Sequence, residues 1–101
     1  MKSTAELRAS PRVSVELPCT LTRRKGNPVK AVTQDVCPGG MRVQTERPLW
    51  IDEELEFDIA PDAPDHPHGK ARVLRQQTTN VYALRFDGSV DDILAWVSRT
   101  T

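Results

Sequence analysis

Along residues 13–21 every second position is apolar: Val13, Val15, Leu17, Cys19 and Leu21 are separated by Ser14, Glu16, Pro18 and Thr20. This run imposes a period of two, which a strand satisfies and a helix does not. A strand of this kind has one face for a core and one for water, so other strands must cover its apolar side. Pro18 has no N–H to give to a ladder, which predicts that the strand lies at a sheet edge or bulges there.

The same period recurs downstream. Residues 29–36 read as a second strand, with Val32 and Val36 on one face and Val29 and Ala31 on the other. Cys37-Pro38-Gly39-Gly40 breaks it, Met41 and Val43 begin a third, and Pro48 stops that one. Leu55, Phe57 and Ile59 alternate with Glu54, Glu56 and Asp58 in a fourth. After a loop over 60–69, Ala71, Val73 and Arg75 set against Arg72 and Leu74 mark a fifth. A turn over 76–80 leads to Tyr82, Leu84 and Phe86, a sixth, closed by Asp87-Gly88. Then the period changes. Val90, Ile93, Leu94 and Val97 stand at i, i+3, i+4 and i+7, one face of a helix. Ser89 and Asp92 are spaced as a capping box, and Arg99 falls in the last turn. Residues 1–11 are polar and aperiodic and read as a flexible N-terminal arm, leaving 12–101 as the folded domain. Strands separated by turns and followed by one helix predict an all-β fold: a six-stranded antiparallel β-barrel with a C-terminal α-helix.

Composition narrows the function. A chain of 101 residues has room for one domain. No run of apolar residues is long enough to span a bilayer, so membrane insertion is not expected. The first ten residues lack the apolar core of a secretory signal, so the expected address is cytoplasmic. Cys19 and Cys37 are too far apart for a redox pair and read as small apolar residues in or near the core. His66 and His68 share one Pro-rich loop, so neither a metal site nor a cofactor is expected. No histidine lies near a candidate nucleophile and no Gly-rich phosphate loop opens a helix, so the chain does not read as an enzyme.

Net charge is zero, from 14 Lys/Arg and 14 Asp/Glu. A neutral domain is poorly suited to long nucleic acid, which needs many phosphate contacts. An RNA-binding barrel would also want exposed aromatics, and the chain has few of any kind. Residues 1–47 nevertheless carry nine Lys/Arg against four Asp/Glu, and 48–101 carry five against ten. The first half can therefore present a local anion site, and a small dianion needs only a few arginines.

Two local patterns supply chemistry. Arg8 and Arg12 stand four apart where the arm enters the first strand. Their planar guanidinium forks match phosphate oxygens and the O6/N7 edge of guanine. Asp35 ends a strand and is followed by Cys37, Pro38, Gly39 and Gly40, a tight turn that lets backbone come close to a ligand. A carboxylate there can accept from guanine N1–H and N2–H₂.

Together these resemble the signature of the PilZ domain family, RxxxR followed by [D/N]xSxxG. The likeness extends to Gly69-Lys-Ala-Arg-Val-Leu-Arg and Tyr82-Ala-Leu-Arg-Phe, which look like later PilZ strands, and to the closing helix. The resemblance implies a cyclic di-GMP receptor. Arg8 and Arg12 would clamp the ligand, Asp35 would read guanine, and Gly39 and Gly40 would allow close approach. Ligand binding would order the arm and signal to a downstream protein partner. Leu7, just before the first motif, implies one ligand per domain. Cys37 departs from the motif, standing where the family has serine, and a thiol is a weak donor. The substitution favours a second reading, a PilZ-like adaptor that does not bind nucleotide and acts through protein contacts in motility or pilus machinery.

Overall fold

The computed structural model describes residues 13–88 and 93–100. In chain order the elements are β1 (Val13–Ser14), β2 (Pro18–Arg23), β3 (Val29–Cys37), β4 (Gly40–Thr45), β5 (Glu54–Ile59), β6 (His68–Thr78), β7 (Val81–Asp87) and α1 (Ile93–Thr100). All pairings are antiparallel. The neighbours run β3-β2-β5-β6-β7-β4, and β4 pairs back onto β3, so six strands close a barrel. Closure removes the exposed edges that a strand-rich chain must otherwise protect.

The expected first strand is two pieces. Val13 and Ser14 pair with Val36 and Asp35, whereas Pro18 to Leu21 pair with Val32 to Val29, one residue out of step. The fully buried Thr33 stitches the break. Its Oγ1 donates to Val15 O (2.6 Å) and accepts from Leu17 N (2.9 Å), while its own N–H donates to Leu17 O (2.9 Å). Pro18 therefore marks an interruption as expected, but it is not on an edge strand, because β2 lies between β3 and β5. As the first residue of β2, Pro18 gives up little by lacking an N–H. Its carbonyl accepts from Ala60 N at 2.7 Å.

Two further irregularities decide which side chains face outward. On β3 the register against β4 shifts between Thr33 and Asp35, so Gln34 is the extra residue of a bulge. Val29, Ala31 and Thr33 face the core before it, and Val36, opposite the buried Met41, faces the core after it. The expected sharing of one face by Val32 and Val36 is thus overturned: Val32 is exposed and Val36 is buried. On β6 the register against β7 shifts between Val73 and Arg75. Ala71 and Val73 point inward, and Arg75, expected beside them, points outward opposite Ala83. β6 also runs on to Thr78, so the expected turn over 76–80 shrinks to Thr79 and Asn80.

The core is built from the alternating Val, Leu and Ile of every strand around Phe57 and Phe86, whose ring centroids lie 4.9 Å apart. The helix lies against β1 and β3 and buries Ile93, Trp96 and Val97. Trp96 reaches the loop before β6, its Nε1 donating to Asp65 Oδ1 at 3.1 Å. Val90 and the expected Ser89–Asp92 cap lie outside the described residues.

Candidate functional site

Antiparallel partners share a face, so the registers fix which outer side chains are neighbours. Asp35 stands opposite Arg42, Arg42 opposite Ala83, and Ala83 opposite Arg75, a row crossing β3, β4, β7 and β6. In the row beside it, Cys37 stands opposite Gly40 and Gly40 opposite Arg85. These residues line an open groove of about 290 Å³ on the barrel's outer face. Ala83 and Gly40, the two smallest side chains, form its floor, and guanidinium groups form its rim. That volume is at the lower end of the range for small-molecule sites.

The bulge at Gln34 turns Asp35 outward, yet its carboxylate is almost wholly covered. Arg42 covers it, donating from Nε to Asp35 Oδ2 at 3.0 Å and from Nη2 to the same oxygen. The remaining Arg42 nitrogen, Nη1, donates to Gln77 Oε1 at 3.1 Å. One arginine thus spans the groove from β3 to β6. Arg75 and Arg85 are exposed and make no ion pair among the described residues. Three arginines against one aspartate leave the groove with a net positive charge.

Pro38 and Gly39 form a two-residue hairpin loop between Cys37 and Gly40. Gly39 is exposed, and a methyl added there would meet nothing within 4 Å. Gly40 is the opposite: a Cβ would sit 2.1 Å from the Leu84 carbonyl oxygen on β7. Gly40 is demanded by strand packing. Cys37 is half-buried on the groove wall with a free thiol. Cys19, in contrast, lies in the core, where burial and then the Asp58 charge push its thiol up to about 12.

Of the expected site residues, Asp35, Cys37, Gly39 and Gly40 converge on this groove, and Arg8 and Arg12 lie outside the described residues. The chain enters the described structure at Val13, with Ser14 paired to Asp35. Sequence reasoning missed Arg42, Arg75, Gln77, Ala83 and Arg85. Arg42 and Arg85 alternate with buried Met41, Val43, Leu84 and Phe86, which marks them as outward, but nothing local shows that they meet.

A larger opening of about 870 Å³ lies by the 23–25 turn and Trp50. Its cations are largely answered. Arg23 donates to both oxygens of Glu53 (2.6 and 2.9 Å), which raises the arginine's pKa. Arg24 and Arg72 both approach Glu54 at 3.8 Å. The smaller groove therefore has the stronger demand for an anion. No cluster of three His, Cys, Asp or Glu that could hold a metal occurs among the described residues. No described helix is long and apolar enough to cross a membrane.

The family model of the PilZ domain matches residues 6–98. No curated protein matches the chain in sequence. In structure it is similar to the PilZ domain of CeSA from a cellulose-synthesizing bacterium, with a TM-score of 0.65 and 19% identity over 90% of this chain and 94% of that one. It is also similar to the Bacillus subtilis inhibitor of motility MotI/DgrA, with a TM-score of 0.64 and 16% identity over 91% of this chain. This chain spans about half the length of MotI/DgrA, 48%. At these identities the likeness is one of fold.

Proposed function

Because the chain belongs to the PilZ domain family, a family of cyclic di-GMP receptors, we propose that it binds cyclic di-GMP in the outer-face groove and passes the signal to a partner protein. The observation that carries this is the pairing of Ser14 with Asp35. Arg12 is joined directly to Val13, so the segment bearing the first motif leads to the carboxylate of the second. Arg42 moves off the covered Asp35 carboxylate, which then accepts from the guanine N1–H and N2–H₂, and Arg8 and Arg12 hold phosphate and the guanine O6/N7 edge. Cys37 occupies the place of the motif serine as a weak donor. Binding closes the arm over the ligand and makes a new surface.

Isothermal titration calorimetry with cyclic di-GMP, and GTP as control, tests the reading. Saturable binding of about one ligand per domain at micromolar affinity or tighter is expected. A folded sample that gives no heat at tens of micromolar ligand overturns it.

A second reading, an adaptor that acts by protein contacts without nucleotide, is favoured by one observation. Trp50 and Ile51 are adjacent and 73% and 53% exposed. Glu53 holds this loop in place, accepting from Trp50 N at 3.0 Å and from Arg23. An exposed tryptophan is a frequent anchor of a protein interface.

A further inference from the structure

We propose that Arg75 and Arg85 form a phosphate-binding subsite of the groove, a second clamp independent of the arm. This rests on the reading of the groove as a nucleotide site and adds residues outside both motifs. The two lie on adjoining strands: Arg75 faces Ala83, and Arg85 lies two residues beyond it, opposite Arg72, with the Leu74 bulge falling between Arg72 and Arg75. In a regular ladder such a diagonal is about 7–8 Å between Cα atoms, and the extra residue of the bulge lengthens it while keeping it within the joint reach of two arginine side chains. Arg42, on the other side of Ala83, is committed to Asp35 and Gln77. Arg75 and Arg85 have no such commitment among the described residues.

Two guanidinium groups on neighbouring strands of one groove, neither paired with a carboxylate, repel each other, and an anion between them relieves the repulsion. The groove beside them is lined by the methyl of Ala83, opposite Arg75, and by the backbone of Gly40, on the far side of Arg85. A phosphate can therefore approach without displacing a side chain. With Asp35 across the groove beneath Arg42, the site has a carboxylate for a base edge at one end, once Arg42 moves aside, and a cation pair for a phosphodiester at the other. That polarity orients a nucleotide and leaves Arg8 and Arg12 for the remainder of the ligand.

The test titrates the full chain with cyclic di-GMP by calorimetry. It also titrates with inorganic pyrophosphate, following the arginine Nε–Hε signals by NMR. The variants are Arg75→Gln, Arg85→Gln, the double, and Arg24→Gln/Lys25→Gln as a control that removes two charges elsewhere. Each single groove substitution should weaken cyclic di-GMP binding about tenfold, the double more, and the control less than about twofold. Pyrophosphate should shift the Arg75 and Arg85 signals and leave those of the double variant's other arginines unmoved. If cyclic di-GMP binds wild type and the double variant within about twofold, the subsite is wrong and the receptor reading survives. If cyclic di-GMP does not bind but pyrophosphate moves both signals, the receptor reading fails and the anion subsite stands.

Discussion

Arg42 places two of its nitrogens, Nε and Nη2, on a single oxygen of Asp35, Oδ2. The Asp35 side chain is 6% exposed and that of Arg42 36%, so water reaches the pair from the arginine side only. Asp35 is therefore not waiting open for a ligand. Its side chain is held in one orientation by a neighbour on the next strand.

Removing that neighbour should cost stability. Arg42→Ala strips a charge-assisted bond from a nearly buried carboxylate, and the exposure of Arg42 places the loss near the lower end, about 1–2 kcal/mol. At about 4–8 °C per kcal/mol for a domain of this size, thermal unfolding should show it clearly. Arg42→Lys should recover part of the loss. An unchanged melting temperature for Arg42→Ala would mean the pair contributes nothing.

Gly39 and Gly40 are adjacent but should answer differently to alanine. Neither has a left-handed backbone, so strain is not at issue. Gly40→Ala drives a methyl to within 2.1 Å of a backbone oxygen and must push β4 from β7, at a cost of about 2 kcal/mol or more. Gly39→Ala meets open space and should stay within about 0.5 kcal/mol of wild type. Urea unfolding of the two variants checks this, and equal losses would contradict it.

The barrel was legible because each strand has one wet face, and a period of two survives in Leu55, Phe57, Ile59 and in Tyr82, Leu84, Phe86. The bulges were not. Gln34 and Leu74 look ordinary in a strand, and the extra residue is defined only against a partner distant in sequence. Hence a strict period of two groups Val36 with Val32 and Arg75 with Val73, and the bulges separate both pairs. Pro18 did signal its break, because a missing N–H is a local property. The second motif was readable since it is contiguous. The arginine rim was not, because Arg42, Arg75 and Arg85 come from both the basic and the acidic half and meet only through register.

His66 gives the fold a pH dependence. Its Nδ1 faces Ala63 O and its Nε2 faces Asp58 Oδ1, both at 2.9 Å, and only the imidazolium can donate to both. The Ala63 carbonyl first and the Asp58 carboxylate second raise its pKa above the ordinary 6.5, and Asp65 adds to the effect. A raised folded pKa means the contribution is fully present below 6.5 and lost as pH rises through the folded value. For Glu53, burial acts upward, but the Arg23 bond, the Trp50 N–H and the Arg23 charge outweigh it and hold its pKa below 4.5. That contribution is present above 4.5 and lost as pH falls through the folded value. NMR titration of His66 should give a midpoint above 6.5, and His66→Gln should remove the alkaline loss of stability. A midpoint at or below that value would refute the assignment.

The two thiols should be chemically distinct. Cys19 is buried with its pKa near 12, so almost no thiolate forms in neutral buffer. Cys37 is half-buried on the groove wall. A thiol reagent should label one cysteine of the native protein and both only after denaturation, and Cys37→Ser should leave none to label natively. Cyclic di-GMP should slow the labelling of Cys37. The same Cys37→Ser substitution should tighten binding by roughly tenfold if the thiol is a weak replacement for a hydroxyl donor. Unchanged affinity would mean position 37 does not touch the ligand.

Ala83→Glu separates binding from folding. Ala83 lies on the outer face between Arg42 and Arg75, with Arg85 two residues along β7. A glutamate there finds guanidinium partners on both sides, and no core contact is lost because the methyl faces the groove. Its lower strand propensity, at most about 1 kcal/mol, is offset by these ion pairs, so the melting temperature should change little. The same carboxylate occupies the floor and neutralises the rim, and a phosphate arriving at that position meets like charge. Affinity for cyclic di-GMP should fall by at least about tenfold while the fold persists. Circular dichroism and calorimetry on one sample measure both quantities, and a folded Ala83→Glu variant that binds as wild type does would place the ligand elsewhere.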